Sequence, residues 1–311
     1  MSGRPRPALR ASGLGGEATL PSALRGAAAP QPFAYQGSKR RLAPRILARF
    51  PAEVERLVEP FCGSAALSLA ALAAGRARRV WLNDSFAPLA ALWQRILREP
   101  GAVADGYRRL WAAQGADPGG HFAAVRRAFN RDGDPTKLLF LLARSVKAAV
   151  RFNARGEFNQ APDRRRAGTH PDRMRKNLEA AAALLAGRAE VTAEDYTAVL
   201  ARVRPGDLVY LDPPYQGTSG PRDPRYHAGL DRPRLIAELG RLRARGVTVL
   251  VSLDGRHGSR AYGPALPPEL GLVRLALPAG RSSQATLLGR ATETVESLYL
   301  SPELLGERAG G

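Results

Sequence analysis

Asp207-Leu208-Val209-Tyr210-Leu211-Asp212-Pro213-Pro214-Tyr215 is the stretch on which the reading of this chain turns. An apolar strand runs straight into Asp-Pro-Pro-Tyr. In ~300 windows a given tetrapeptide arises by chance roughly 0.002 times, so accident is a poor explanation. Two prolines hold a rigid loop at the carboxyl end of a strand, where α/β proteins place their ligands. Asp212 offers a carboxylate acceptor and the Pro213 carbonyl a second one. Pro214 stiffens the loop, and Tyr215 offers a flat face on which a flipped base can stack. The bland alternative is a tight Pro-Pro turn with a structural aspartate.

Upstream, the short apolar strand Arg56 to Glu59 is followed by Pro60-Phe61-Cys62-Gly63-Ser64 and a helix-like run from Ala65 to Ala74. Gly63 permits a sharp strand-to-helix turn, and the helix N-terminus presents N–H groups to a ligand. A second strand, Arg79 to Leu82, ends in Asn83-Asp84 about 20 residues beyond the glycine turn. That is the usual place for an acid that holds ribose hydroxyls, although an N-cap for the helix Pro88 to Leu97 would look the same. Together the two elements point to a nucleoside cofactor.

From Glu99 to Gly187 the strand signal gives way to helical runs at Phe122 to Phe129, Lys137 to Val150 and Met174 to Leu185. Alternation returns with a weak strand at Glu190 to Thr192, a helix at Tyr196 to Val203 and the strand Asp207 to Leu211. The helix Arg234 to Arg245 and strands Val247 to Ser252, Leu272 to Leu277 and Val295 to Leu300 complete the pattern. No internal repeat is present. The organisation expected is a disordered arm at 1–30, an α/β domain built from 31–98 and 188–303, a helical subdomain at 99–187 and a flexible tail at 304–311.

Composition sets the outer limits. The 311 residues carry 47 Lys+Arg against 28 Asp+Glu, a net charge of +19, with 44% hydrophobic residues. Those values belong to a globular chain with a polyanionic partner. Only four of the cations are lysines, so an arginine-rich proteome accounts for part of the charge. One cysteine, Cys62, excludes an intramolecular disulfide and a multi-cysteine zinc cluster, and four scattered histidines argue against a metal site. No apolar run reaches membrane length. A cytoplasmic, nucleoid-associated protein is expected, with a transit peptide as the alternative for the acid-poor first 30 residues.

The ordered motifs resemble those of the Dam-type adenine-specific DNA methyltransferases, whose cofactor is S-adenosylmethionine. Tyr35-Gln36-Gly37-Ser38-Lys39 is similar to that family's N-terminal cofactor motif, Glu59 to Ser64 to its glycine motif, and Asp212 to Tyr215 to its catalytic tetrapeptide. Phe152-Asn153-Ala154-Arg155-Gly156-Glu157-Phe158-Asn159 resembles the loop signature in its DNA-recognition region. The resemblance spans Pro32 to Pro302. It implies a Rossmann-like class I methyltransferase core with a mixed, mostly parallel sheet and a helical target-recognition insertion.

By the same resemblance Tyr35, Gly37 and Lys39 contact the cofactor's methionine end, Glu59, Phe61 and Gly63 line its pocket, and Asp84 binds the ribose. Asp195, followed by Tyr196, meets the adenine, or else caps a helix. Asp212 touches both cofactor and target base. Asn153, Arg155, Asn159, Arg164 and Arg281 are the expected DNA contacts. From Arg151 to Lys176 there are eight Lys/Arg against three Asp/Glu. Tyr226 and His227 look like the segment that shapes the base pocket.

Two departures stand out: Ala65-Ala66 replaces a second glycine in the cofactor turn, and Ser38 stands where another glycine is frequent. The function implied is methylation of the exocyclic amine of a flipped adenine in double-stranded DNA, by a monomer or weak dimer with no metal, with a restriction endonuclease as a genomic partner. Rival readings are methylation of a cytosine amine or of RNA, and a catalytically silent nucleic-acid-binding relative.

Overall fold

The computed structural model describes residues 29–214, 230–257, 260–261, 264–281 and 293–305. Tyr215, Tyr226, His227 and all but the last two residues of the 1–30 arm lie outside the described residues, as does most of the 304–311 tail. The first half runs α1 (Ala43–Leu47), β1 (Val54–Glu59), α2 (Ala66–Ala73), β2 (Ala77–Asn83), α3 (Ala87–Arg98), α4 (Pro100–Ala112), α5 (Pro118–Asp132), α6 (Pro135–Arg144) and α7 (Pro171–Leu185). Then follow β3 (Ala189–Thr192), α8 (Tyr196–Arg202), β4 (Asp207–Leu211), α9 (Arg232–Ala244), β5 (Thr248–His257), β6 (Arg260–Ala261), β7 (Val273–Arg281) and β8 (Glu293–Leu300).

The sheet order is β3-β2-β1-β4-β5-β8-β7, with the two-residue β6 paired to β5. The pairs among β3, β2, β1, β4 and β5 are parallel, whereas β8 is antiparallel to both β5 and β7. This is the mixed, mostly parallel α/β sheet that the family resemblance implies. Alternation within strands builds two cores. Leu57, Leu208, Tyr210 and Leu250 face one cluster with α1, α2, α3 and α7. Val58, Val209, Leu211 and Val249 face the other with α8 and α9. All five residues of β4 are buried, which is why it reads as an apolar run flanked by punctuation.

The chain winds outward in one direction from β1 through β2 to β3, and in the other from β4 to β5. The crevice between the carboxyl ends of β1 and β4 is therefore a topological switch point. At the opposite end Arg56 clamps the same pair, its Nε and Nη2 lying 2.9 and 2.7 Å from the Asp207 carboxylate.

The helical segment differs from expectation in two places. α4 carries glycine at 101 and 106, which hides its helical period, yet it buries Val103, Ala104 and Tyr107. α6 stops at Arg144, six residues early, because Ser145 is extended and Lys147 takes φ +58. The apolar residues Ala148 to Val150 prolong the pattern but are buried from a turn. α7 packs against α2 and α3, so the helical segment shares the first core cluster with the sheet.

Candidate active site

β1 delivers Glu59 to the switch point, and the turn after it is tightly specified. The Cys62 amide donates to the Asn83 carbonyl (2.8 Å), and Trp93 Nε1 of α3 donates to the Gly63 carbonyl (2.9 Å). Gly63 has φ +48, and a Cβ there would lie 3.3 Å from the Tyr35 ring, so both backbone and space require glycine. Ala65, the chain's replacement for a second glycine, also adopts φ +48 while fully buried. Ser38, at the other departure, accepts the Ser64 hydroxyl at 2.9 Å and ties the N-terminal motif to this turn.

One amide of the helix N-terminus expected to face a ligand is satisfied inside the protein. Ala65 has no side chain with which to cap α2, and Glu59 Oε1 instead accepts the Ser68 amide at 2.7 Å. Asp84 Oδ2 accepts the Gly63 amide at 3.1 Å, and its Oδ1 accepts that of Phe86 at 3.0 Å. Asn83 is fully buried and structural. Its Nδ2 donates to the carbonyls of Pro60 and Glu194, and its Oδ1 accepts from Thr192 Oγ1 and the Glu194 amide. One side chain thus joins the carboxyl ends of β1, β2 and β3.

Asp212 follows β4. Lys39, buried in a one-turn 3₁₀ segment (Lys39–Arg41), places Nζ 2.9 Å from Asp212 Oδ1 and 3.3 Å from Glu296 Oε2 of β8. Burial dominates the titration of these acids. It pushes Glu59 up to about 7, Asp84 to about 6 and Asp212 to about 6, the last despite the opposing pull of Lys39. Burial, reinforced by Asp84 and Glu59, also drives the Cys62 thiol well above its ordinary value, which suits a small packed residue and not a nucleophile.

Tyr35, Gly37, Lys39, Glu59, Phe61, Gly63, Asp84, Asp195, Asp212, Pro213 and Pro214 all line one cavity of about 560 Å³. At one end the rings of Phe61 and Tyr196 lie 5.1 Å apart, and the Arg234 guanidinium sits 5.6 Å over Tyr196. The Tyr196 hydroxyl is buried and has no hydrogen-bond partner among the described residues. Asp195 caps α8 through the Thr197 amide (2.9 Å) and meets Arg234 at 3.2 Å, so the capping alternative is realised at a residue that also lines the cavity.

The residues expected to meet DNA lie apart from this interior. Phe152 lines the cavity and packs edge-on against Phe86, while the hairpin beyond it turns outward. Asn153 organises the turn, accepting the amides of Arg155 and Glu157 at 2.9 and 3.0 Å and donating to Glu157 Oε2. Arg155 is 79% exposed and pairs with the same carboxylate at 2.9 Å. Gly156 takes φ +74. Asn159 and Arg164 are exposed, and Arg281 ends β7, with only its backbone described. Asn130 of α5 fixes the hairpin by bonding both the amide and the carbonyl of Phe158.

The model of the D12 class N6 adenine-specific DNA methyltransferases matches residues 35–233. The chain belongs to that family. It is 28% identical over 240 residues to the DNA N-6-adenine-methyltransferase of Escherichia phage P1, covering 73% of this chain and 30% of that protein. It is 26% identical over 195 residues to modification methylase StsI of Streptococcus sanguinis, covering 61% and 29%. The matched region is therefore under a third of either curated relative. A solved structure of the Escherichia coli yhhF protein is 14% identical with a TM-score of 0.36, covering 86% of this chain and 89% of its own; the strand order, not this likeness, describes the fold.

Sequence reasoning on this D12-class chain missed Glu296, Arg234 and the joining role of Asn83. Glu296 and Arg234 lie 84 and 22 residues from Asp212 with no local motif to single them out, and only the sheet order brings β8 near β4. Among the described residues no group of three or more His, Cys, Asp or Glu is placed to hold a metal, and no helix is long and apolar enough to cross a membrane.

Proposed function

We propose that the chain is a site-specific, S-adenosylmethionine-dependent methyltransferase that acts on the exocyclic amine of adenine flipped out of double-stranded DNA, giving 6-methyladenine. The observation that carries this reading is a single cavity at the β1/β4 switch point. It joins the acid-lined glycine turn to Asp212-Pro213-Pro214 in a chain of the D12 class.

The residues fit that cofactor. The cavity is of ligand size; Glu59 and Asp84 suit amine and hydroxyl donors; and the Phe61/Tyr196 pair, whose hydroxyl has no partner among the described residues, suits a flat base carrying polar edges. When bound, S-adenosylmethionine supplies a sulfonium methyl whose carbon takes the amine's lone pair while the C–S electron pair leaves with sulfur. An aromatic amine is a weak nucleophile because its lone pair is delocalised into the ring. Asp212 and the Pro213 carbonyl accept its two hydrogens, draw the nitrogen towards sp³ character and hold the lone pair in line. Asp212 then takes the proton that the alkylated nitrogen sheds. Pro214 fixes the loop, and Tyr215 supplies a stacking face.

Asn153, Arg155, Asn159 and Arg164 in the recognition segment 99–187, and Arg281 at the end of β7, are assigned the phosphate and base contacts. Such an enzyme acts in the cytoplasm on the nucleoid, alone or beside a restriction endonuclease. The test is expression in a host lacking adenine methylation, followed by sequencing that reads modified bases. Methylated adenine at one recurring motif is expected. Its absence, with cofactor binding intact, turns the reading to cytosine amines or RNA, which mass spectrometry of the product separates.

A further inference from the structure

Lys147 stands between α6 and the recognition hairpin, in a 3₁₀ segment (Val146–Ala148), at φ +58 and ψ +17. Ala148 follows at φ +48. A Cβ strains the backbone in this left-handed region, which glycine and asparagine occupy at least cost. Ala148 is buried, so its methyl group has a packing role. Lys147 is exposed, and among the described residues its side chain makes no hydrogen bond or ion pair. The turn is held by other atoms. The amides of Ala148 and Val146 donate to the carbonyls of Ser145 (3.1 Å) and Ala161 (3.3 Å), and Gln160 Nε2 donates to the Val146 carbonyl (3.0 Å). The Gln36 amide donates to the Ala148 carbonyl (3.1 Å). Glycine at 147 would keep all four bonds and remove the strain. The turn also borders the cavity, since Gln36, Val150 and Phe152 line it.

We propose that Lys147 is a phosphate contact for the DNA strand that carries the extruded base, held at the border of the cavity on a strained backbone position. The inference deepens the methyltransferase reading and rests on it for the identity of the polyanion. A base leaves the duplex by rotation about its own backbone, so the phosphates flanking it stay close to the pocket that receives it. An ammonium on a flexible stem meets a phosphate as a point charge and releases a condensed counterion as it does so. Strain retained at one exposed position, where a smaller residue would relieve it, marks a side chain kept for what it contacts. Lys147 belongs to no motif of the sequence, because its conformation and not its neighbours singles it out.

The test uses the full chain with three substitutions. Lys147→Gly and Lys147→Asn remove the charge and ease the backbone, whereas Lys147→Arg keeps the charge. Sheared genomic DNA from a host lacking adenine methylation is the probe, with S-adenosylhomocysteine present so that no turnover occurs, and affinity is measured across a salt series. Lys147→Gly and Lys147→Asn should bind about threefold to tenfold more weakly at moderate salt, and the slope of log affinity against log salt should shrink by about one. Lys147→Arg should hold both values. Arg79→Gln removes an exposed cation from β2, in register with Arg56 at the end of the sheet away from the cavity, and should also leave both unchanged. Thermal melting supplies the second readout: Lys147→Asn should melt at or above the wild-type temperature while binding DNA less well. A purely structural lysine predicts wild-type affinity and slope in Lys147→Gly and Lys147→Asn, and that result overturns the proposal. So does a loss in Lys147→Arg or Arg79→Gln as large as in Lys147→Gly, or a lower melting temperature in Lys147→Asn. If wild type methylates no DNA but binds it with a slope that depends on Lys147, the methyltransferase reading fails and the phosphate contact stands.

Discussion

The cofactor rim and the recognition hairpin use the same residue types, acids and amides bonded to backbone N–H groups, and reach opposite ends. At the rim, Glu59 and Asn83 are buried and Asp84 is half-buried, and each joins a different pair of elements. In the hairpin, Asn153, Arg155 and Glu157 bond mainly to one another, with Arg155 exposed and the other two half-buried. Burial makes the rim's bonds strong and its carboxyls reluctant to ionise. Exposure makes the hairpin's ion pair weak and exchangeable. A fixed shape suits one invariant cofactor. A surface pair that opens at little cost suits the nucleic-acid contact proposed for Arg155.

The sharpest break of this contrast is at the rim. Asp212→Ala should lower turnover by about a thousandfold or more, because an acceptor that orients the reacting nitrogen is lost. Cofactor affinity, read by calorimetry with S-adenosylhomocysteine, should stay within a few-fold. Normal turnover in this variant would remove Asp212 from the chemistry.

Next in size is the pH response. A carboxyl whose folded-state value lies above its unfolded value binds a proton more readily when folded. Its contribution is present in full below the unfolded value and is lost as pH rises through the folded one. For Glu59, displaced from 4.5 to about 7, the cofactor-free protein should lose stability on the order of 3 kcal/mol across that window. Melting temperature should fall accordingly, and Glu59→Gln should flatten the slope. Cofactor affinity should rise over the same range as Glu59 and Asp84 ionise. A melting curve flat with pH would mean that the rim is wetter than its packing indicates.

Smaller again is Gly63→Ala. A side chain at φ +48, pressed 3.3 Å from Tyr35, should cost about 1–2 kcal/mol in denaturant unfolding and weaken cofactor binding with it. Smallest in stability is Arg155→Ala, with a melting temperature near wild type but a changed motif profile or DNA affinity. An unchanged profile would take Arg155 out of the recognition set.

The same contrast explains what the sequence made legible. β4 and Asp212-Pro213-Pro214 stand out because a strand buried on both faces must be apolar beyond its paired first residue, Asp207, and proline must end it. The glycine turn is legible for a similar reason, since Gly63 answers a backbone demand. Glu296, Arg234 and the capping of α2 by Glu59 are pairings across distant chain segments, and no periodicity records them. The helical pattern overruns α6 because Ala148 to Val150 are as apolar as helix residues while buried at the end of a 3₁₀ segment and just beyond it. Ser38 and Ala65 read as mild departures from a glycine pattern. In place they are a hydroxyl tie and a left-handed alanine.

Asn83 carries a last consequence. From the end of β2, its side-chain amide and backbone carbonyl together engage Pro60 and Cys62 after β1 and Thr192 and Glu194 at the end of β3. No one of those ends can fray while the others stay bonded. The amide protons of Cys62 and Glu194, far apart in the chain, should therefore exchange with solvent together, as one cooperative opening unit at the rim of the cavity.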